Sequence, residues 1–456
     1  MSKKYDFDYI IIGSGAAGSA AALELANSKK RIALVESRFF GGNNLNTRDI
    51  PYAVALNFAH DYSRIQSYPE LKNQDFHFNP PTIPACQLKA VIESGGNNKK
   101  IFESTGITCI KGAANFLDRH TIAVSEKKFT ASSFILATGS HLKNVGISGL
   151  ETVKCFTPET AIRLNRLPKV AAIIGAGSTG VEIAEYYAEL GIKTMLFESS
   201  DRILPREDKE VSDCIFDYFT QKLGITALPS CKVVAVEQDE FSKRIIFHHD
   251  NTEKMVRVDC IVLATGSQPN LDYGLENAKV KFKNSGITAN RYFETSTKNI
   301  YAIGDCLGGE SSTDRARQEG ITLASNLINK VKNSVNYKGF IRAIHTYPTV
   351  ATVGFTEDDL LKRDRKYRKS IIKLSDIAAS KIHNFDYGFI KLIVDRTNHI
   401  LGATIVAPHA DLMIHEIALA IRHNLSLIEV ASTPHAINNY DYLIKLAAKQ
   451  LLKKKH

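Results

Sequence analysis

Residues Tyr5–Ser37 read "YDFDYIIIGSGAAGSAAALELANSKKRIALVES". A short apolar run is followed by glycines at 13, 15 and 18, then an alanine-rich stretch, then a second apolar run ending at Glu36. Short apolar runs bounded by glycine read as buried strands, and the alanine-rich stretch between them reads as a helix. The same plan returns at Lys169–Ser199, "KVAAIIGAGSTGVEIAEYYAELGIKTMLFES". The first glycine precedes a glutamate by one and the same interval in both copies, Gly13 to Glu36 and Gly175 to Glu198. The chain therefore carries an internal repeat of a strand–turn–helix–strand unit.

A lone G-x-G-x-x-G is weak, because glycine turns arise for many reasons. Here each follows a buried strand, opens a helix and has an acidic residue a little over 20 positions on, which is the full dinucleotide-binding fingerprint. Gly13 and Gly175 allow the tight turn, Gly15 and Gly177 let backbone approach a pyrophosphate, and Gly18 and Gly180 let helix and strand pack closely. The pyrophosphate then sits on free N–H groups at the positive end of the helix. Two echoes, "FILATGS" (Phe134–Ser140) and "IVLATGS" (Ile261–Ser267), each close one unit, so the second unit is inserted into the first. "NIYAIGDC" (Asn299–Cys306) then supplies a strand ending in Gly304 and Asp305. Asp305 suits the hydroxyls of a sugar-alcohol chain, and equally suits a turn.

Residues 340–456 change character. "GFIKLIVDRTNHILGATIVAP" alternates like two antiparallel strands, and "ADLMIHEIALAIRHNL" is an amphipathic helix whose apolar face needs a partner. The expected fold is α/β: two Rossmann-like three-layer nucleotide-binding domains, the second inserted in the first, plus a C-terminal α+β module. The boundaries are 1–150 with 271–338, 151–270, and 339–456. Length and an ordinary balance of charged and apolar residues fit a globular chain of several domains. No apolar run approaches the roughly 18 to 20 residues that span a bilayer, and a cytoplasmic location is expected. The net charge of +10 is read as scattered, with a dense tail at Lys449–His456 taken as a solvated terminus, so no nucleic-acid or membrane partner is expected. The seven cysteines show no paired or metal-ligand spacing, and they are expected to be buried, inert thiols with no metal bound.

In this order, "GSGAAG" with Glu36, "GGNNLNTRDIP", "ATGS" twice, "GAGSTGVE", "YAIGD", "HTYPTVATVGFTE" and "GFIKLIVD" with "ILGATIVAP" make the chain resemble the pyridine nucleotide-disulfide oxidoreductase family, whose members include lipoamide dehydrogenase, glutathione reductase and mercuric reductase. The resemblance covers essentially the whole chain. It implies FAD on the first unit, a nicotinamide cofactor on the second, and a C-terminal interface domain that forms a homodimer. The implied FAD residues are Gly13, Gly15, Ala16, Ala17, Gly18, Glu36 and Ser37, with Gly42, Asn43, Ala137, Thr138, Gly139, Gly304, Asp305 and Ala316. The implied nicotinamide-cofactor residues are Gly175, Gly177, Ser178, Thr179, Gly180, Glu198, Ala264, Thr265 and Gly266. Glu198 favours NADH over NADPH by accepting ribose hydroxyls, although Arg202 nearby tempers this.

The family pattern from Gly41 runs GG-x-C-L-N-x-G-C-I-P-S-K, and this sequence puts Asn44 and Asp49 at the two cysteines, Arg48 at the glycine, Tyr52 at the serine and Ala53 at the lysine. Asn and Asp form no mixed disulfide. The family's proton-relay His and Glu fall on Ile437 and Tyr442, with His435 two residues from the relay position. Cys306 is the one other thiol placed to substitute. Arg48 either replaces the charge lost with the lysine or pairs with Asp49, and Glu182, the lysine's usual partner, remains. Ser178 leaves the nicotinamide pocket ungated. A helix beginning near Asp314 points its N-terminus at the flavin. With Arg48, Asp49 and Glu182 as candidate catalytic residues, the expected function is an NADH-dependent FAD oxidoreductase that passes electrons to a small non-disulfide acceptor: a quinone, a dye or a second nicotinamide nucleotide. The alternatives are a non-catalytic cofactor-binding scaffold or sensor, and a disulfide reductase working through another thiol.

Overall fold

The computed structural model describes residues 5–68, 79–240 and 242–453. Strand Phe7–Ile12 is central to the first unit and pairs in parallel with Ile32–Glu36 on one side and Lys127–Leu136 on the other. Thr108–Lys111 and Ile300–Ala302 complete a parallel sheet of five strands. Its two faces are covered differently, which explains why the strand is apolar without alternation. Ile11 packs on Ala17, Ala21 and Leu25 of the Ala16–Ala26 helix and on Ala324 of the Thr313–Asn329 helix. Ile10 and Ile12 pack on Phe116, Ile122 and Phe134 of an antiparallel meander, Ala114–Asp118, Thr121–Val124 and Lys127–Leu136.

The second unit repeats these three layers. Its four-stranded parallel sheet runs Thr226–Leu228, Lys193–Phe197, Val170–Ile174, Cys260–Leu263. Helices Ser178–Glu189 and Lys209–Gln221 cover one face, and a three-stranded meander between residues 232 and 258 covers the other. The whole sheet is inserted between Lys127–Leu136 and Ile300–Ala302, neighbouring strands of the first unit. A two-stranded ribbon, Ser140–Leu142 with Ser267–Pro269, forms the neck.

The third unit is an antiparallel sheet ordered Ile341–Ile344, Thr349–Gly354, Ile400–Ala407, Phe389–Val394, Arg368–Lys373. Both strands of the expected hairpin are buried along their whole length, so neither face is wet. One buried position is a lysine: Lys391, with no exposed side-chain surface, is ringed by Asp208 at 2.7 Å, Glu210 at 2.8 Å and Glu357 at 2.8 Å. Two of those acids come from the second unit, so the third unit is docked onto it by charge as well as by packing.

Three expectations need correction. The apolar face of the Ala410–His423 helix is buried in its own subunit, through Ala410, Ile414, Ile417 and Ala420, beside the equally buried face of the Tyr442–Lys453 helix, and needs no partner chain. The cysteines are all free but not all buried: Cys86 is exposed, and Cys109, Cys155 and Cys214 are intermediate. Basic charge is also dense at Lys362–Lys369, where Lys362, Arg363, Arg365 and Lys366 are exposed. Within the expected tail, residues 454–456 lie outside the described residues. No helix among the described residues is long and apolar enough to cross a membrane.

Candidate active site

A cavity of about 3730 Å³ runs past both glycine turns and the loops that face them. Gly13 has φ +100°, and a Cβ on it would meet the Ala137 carbonyl oxygen at 2.2 Å; Gly175 has φ +102° and would meet that of Ala264 at 2.4 Å. A Cβ on Gly18 or Gly180 would lie 1.9 Å from the carbonyl oxygen of Gly13 or Gly175. Those two glycines sit behind the cavity rather than on its wall, and they act by letting helix and turn close up. Gly15 and Gly177 have nothing within 4 Å of such a Cβ. They present bare backbone to open space at the start of a helix, which is what a phosphate group requires.

The acids at the strand ends are held alike. Glu36 accepts from Ser14 N–H at 2.9 Å and Arg38 N–H at 2.7 Å; Glu198 accepts from Ala176 N–H at 2.8 Å and Ser200 N–H at 2.8 Å. Each carboxylate is thereby aimed along the rim of its own turn. Arg202 does not reach Glu198: its guanidinium lies 3.5 Å from Asp358 and from the Glu207 carbonyl, while Arg206 lines the cavity instead. Asp305 lines the cavity and accepts from Ser140 Oγ at 3.0 Å, joining the first "ATGS" turn to the third strand end.

Between the two turns the cavity is floored by the Gly42–Asn46 and Asp49–Ser67 helices and by the N-terminus of the Thr313–Asn329 helix. Thr313 Oγ1 accepts from Asn44 Nδ2 and donates to Asp49 Oδ2 at 2.7 Å. Arg48 pairs with Glu159, Nε to Oε1 at 2.8 Å, and not with Asp49. Burial works to raise the Glu159 carboxyl, but the Arg48 guanidinium and the Thr157 hydroxyl hold it below its ordinary value. The charge of Arg48 is thus matched locally. Glu182 accepts from the His345 N–H at 2.8 Å, and burial raises its carboxyl. Ala53 and Ser178 both face the cavity, with no bulky side chain at either position.

Cys306 is fully buried, bonds to the carbonyls of Leu136 and Ile303, and is pushed up by burial to about 12. It is no substitute nucleophile, since the thiolate is the reactive form. Among the described residues the cysteine on the cavity wall is Cys231, whose N–H bonds the Glu198 carbonyl at 2.7 Å. His435 pairs with Glu416 at 2.9 Å and does not line this subunit's cavity.

Residues 7–320 match the sequence pattern of the pyridine nucleotide-disulphide oxidoreductases, and residues 341–440 match that family's dimerisation domain. The chain belongs to the pyridine nucleotide-disulphide oxidoreductase family. Dihydrolipoyl dehydrogenase of Chlamydia pneumoniae is 31% identical over 443 residues, 94% of this chain and 94% of that protein. Mercuric reductase of Bacillus cereus is 27% identical over 435 residues, 94% of this chain and 69% of that one. In fold, the HOCl-induced flavoprotein disulfide reductase RclA of Escherichia coli superposes with a TM-score of 0.86 at 22% identity, covering 97% of this chain and 99% of that one. Oxidoreductases of this family bind FAD and NAD(P)H, and the chain carries their dimerisation domain.

The sequence alone did not reveal the partners of the family's site positions here. Thr313 and Glu159 bond to residues more than 100 positions away. His60, Glu185 and Glu189 were also missed. The two glutamates follow Glu182 at helical spacing, the one local signal, and such a row usually marks a wet helix face.

Proposed function

We propose that this chain takes hydride from NADH onto FAD and passes the electrons directly to a small acceptor that is not a disulfide, a quinone or dye or a second nicotinamide nucleotide. FAD lies across 1–150 and 271–338, NADH on 151–270, and the homodimer forms through 339–456. One observation carries the reading. Asn44 and Asp49, which stand at the family's two redox cysteines, are tied to one hydroxyl, that of Thr313, so the electron-transfer face carries amide, carboxylate and hydroxyl and no thiol.

The open backbone at Gly15 and Gly177 supports a pyrophosphate in each turn, and the cradled Glu36 and Glu198 support a ribose at each rim. FAD when bound accepts hydride from a nicotinamide and releases electrons to an acceptor. The protein's own part is to seat and polarise. The Thr313–Asn329 helix opens into the cavity and offers N–H groups to an anionic edge, worth about 0.3 to 2 kcal/mol. Asp49, fixed by Thr313, keeps the floor polar, and Arg48, matched by Glu159, orders its wall. Glu182 sits beside the second glycine turn. With Arg202 turned to Asp358, the Glu198 rim favours NADH.

Stopped-flow mixing with NADH should reduce the flavin on a catalytic timescale, and steady turnover should follow with menadione but not with oxidised glutathione or lipoamide. Turnover with a disulfide and none with quinone or nucleotide would overturn this reading. A flavin that NADH leaves oxidised would make the chain a non-catalytic binder.

A further inference from the structure

Three glutamates of the Ser178–Glu189 helix, Glu182, Glu185 and Glu189, share one face, a turn apart, and are 8%, 0% and 7% exposed. Buried carboxyls normally have a basic partner. Here Glu182 accepts from the His345 amide at 2.8 Å and feels the His345 and Arg48 side chains without an ion pair to either, while Glu185 has only the Tyr347 amide, at 3.0 and 2.9 Å. Glu189 meets His60 Nδ1 at 2.6 Å.

Glu182 and Glu189 both line the cavity, and Glu185 lies beneath it, one turn from each and near enough for both to act on its carboxyl. At the outer end, His60 is 18% exposed on its side chain and leaves Nε2 for exchange with water. At the inner end, Tyr52 has a buried hydroxyl with no hydrogen-bond partner, near enough to Glu182 and Glu159 for both to act on it. Asp49 and Arg48 bear on Glu182 as well. Facing the row from other elements are also His60 of the Asp49–Ser67 helix, Tyr218 of the Lys209–Gln221 helix, and His345 and Tyr347 of the third unit, with Arg64 acting on Tyr347.

We propose that His60, Glu189, Glu185, Glu182 and Tyr52 form a proton path from the cleft to the electron-transfer site. This rests on the quinone-type acceptor proposed here. In NADH + quinone + H⁺ → NAD⁺ + quinol, the hydride supplies two electrons and one hydrogen, and the second hydrogen must come from water. Ser178, Thr179 and Glu182 line the cavity beside the second glycine turn, so a dinucleotide held there would restrict the direct route, whereas Glu189 lines the cavity two turns further along the helix. Each transfer breaks an O–H or N–H bond on one group and forms one on the next, and water reprotonates His60. Burial raises all three carboxyls, that of Glu185 well above its ordinary value with Glu189 and Glu182 adding to the rise, which favours the proton-bound form of each.

Glu185→Gln keeps an acceptor for the Tyr347 amide but cannot carry a proton. Ferricyanide takes electrons without protons, whereas menadione needs both. In the FAD-loaded E185Q protein, NADH-driven flavin reduction and ferricyanide turnover should stay within about two-fold of the parent, while menadione turnover falls about ten-fold or more. His60→Gln should do the same. Equal menadione and ferricyanide ratios in E185Q would overturn the path. A readout independent of turnover is the infrared band of a protonated carboxyl in the full chain at neutral pH, present in the parent and lost in E185Q; its absence from the parent overturns the path whatever the kinetics. A parent that reduces its flavin, shows the band and ignores menadione retains the path and refutes the quinone acceptor.

Discussion

Asn44 and Asp49 bond to the same hydroxyl, that of Thr313, one as donor and the other as acceptor. The two segments that carry them are thus joined through the N-terminus of a helix that begins 264 residues after Asp49. A dithiol would store two electrons at this place. An amide and a carboxylate locked on a hydroxyl store none, and the consequences are measurable.

Electron capacity follows first. Anaerobic titration should reduce the FAD-loaded protein fully with one hydride equivalent per flavin, without a thiolate-to-flavin charge-transfer band. Uptake of two equivalents would show a hidden redox pair.

Removing the shared hydroxyl tests the lock itself. Thr313→Val leaves Asn44 without its acceptor and Asp49 without its donor, and should lower stability by about 1 to 2 kcal/mol in denaturant unfolding. Thr313→Ser should restore most of it. Equal stability of the valine and serine variants would mean that the bonds contribute nothing.

Coenzyme choice rests on Glu198, whose carboxylate is cradled by Ala176 and Ser200 with no arginine on it. NADH should reduce the flavin faster than NADPH. Glu198→Ala should narrow the ratio by weakening NADH binding, read from the KM for each coenzyme. An unchanged ratio would count against ribose recognition at this rim.

Docking of the third unit depends on Lys391 and its three acids. Lys391→Met leaves Asp208, Glu210 and Glu357 close together without it, and should destabilise by about 3 to 5 kcal/mol. Partial burial works to raise Glu357, but bonds from Lys369, Lys391 and Tyr367 hold it down to about 2. A depressed carboxyl contributes stability above its ordinary value and loses it as pH falls through the folded one. Thermal stability should therefore drop between about pH 4.5 and pH 2, and less steeply in K391M. A parallel acid limb in the two proteins would place the titration elsewhere.

Assembly is read from the Ala410–His423 helix. Its inner face is buried in the third unit's own core, while Leu412 and Leu419, two turns apart, are 69% and 56% exposed. Light scattering at micromolar concentration should give a dimer, and Leu412→Glu with Leu419→Glu a monomer with intact far-ultraviolet dichroism. A dimer that survives both changes would put the interface on another face.

The sequence by itself determined the two strand–turn–helix units, because their pattern is written in residues close in the chain, and the repeated "ATGS" turns gave away their nesting. A glycine's φ and a helix start are short-range matters, and 3.6- and 2-residue periodicities record which face is apolar, whereas the cradles of Glu36 and Glu198 draw one amide each from 22 residues away. The identities of Asn44 and Asp49, on which the proposed acceptor rests, are likewise matters of sequence alone. Partner choice was decided only by the tertiary structure. Arg48 has Asp49 beside it in sequence and takes Glu159, 111 residues on, because Arg48 caps the Asp49–Ser67 helix where it meets the short Pro158–Ala161 helix of the second unit. Glu185 and Glu189 sit in a pattern that reads as a solvated stripe. They are buried because the Asp49–Ser67 helix and the third unit's sheet close over that face, and no local pattern encodes the approach of elements so far apart. Lys391 shows the same limit: a lysine in a strand reads as a wet position, and only three converging acids, two of them from another unit, make its burial tolerable.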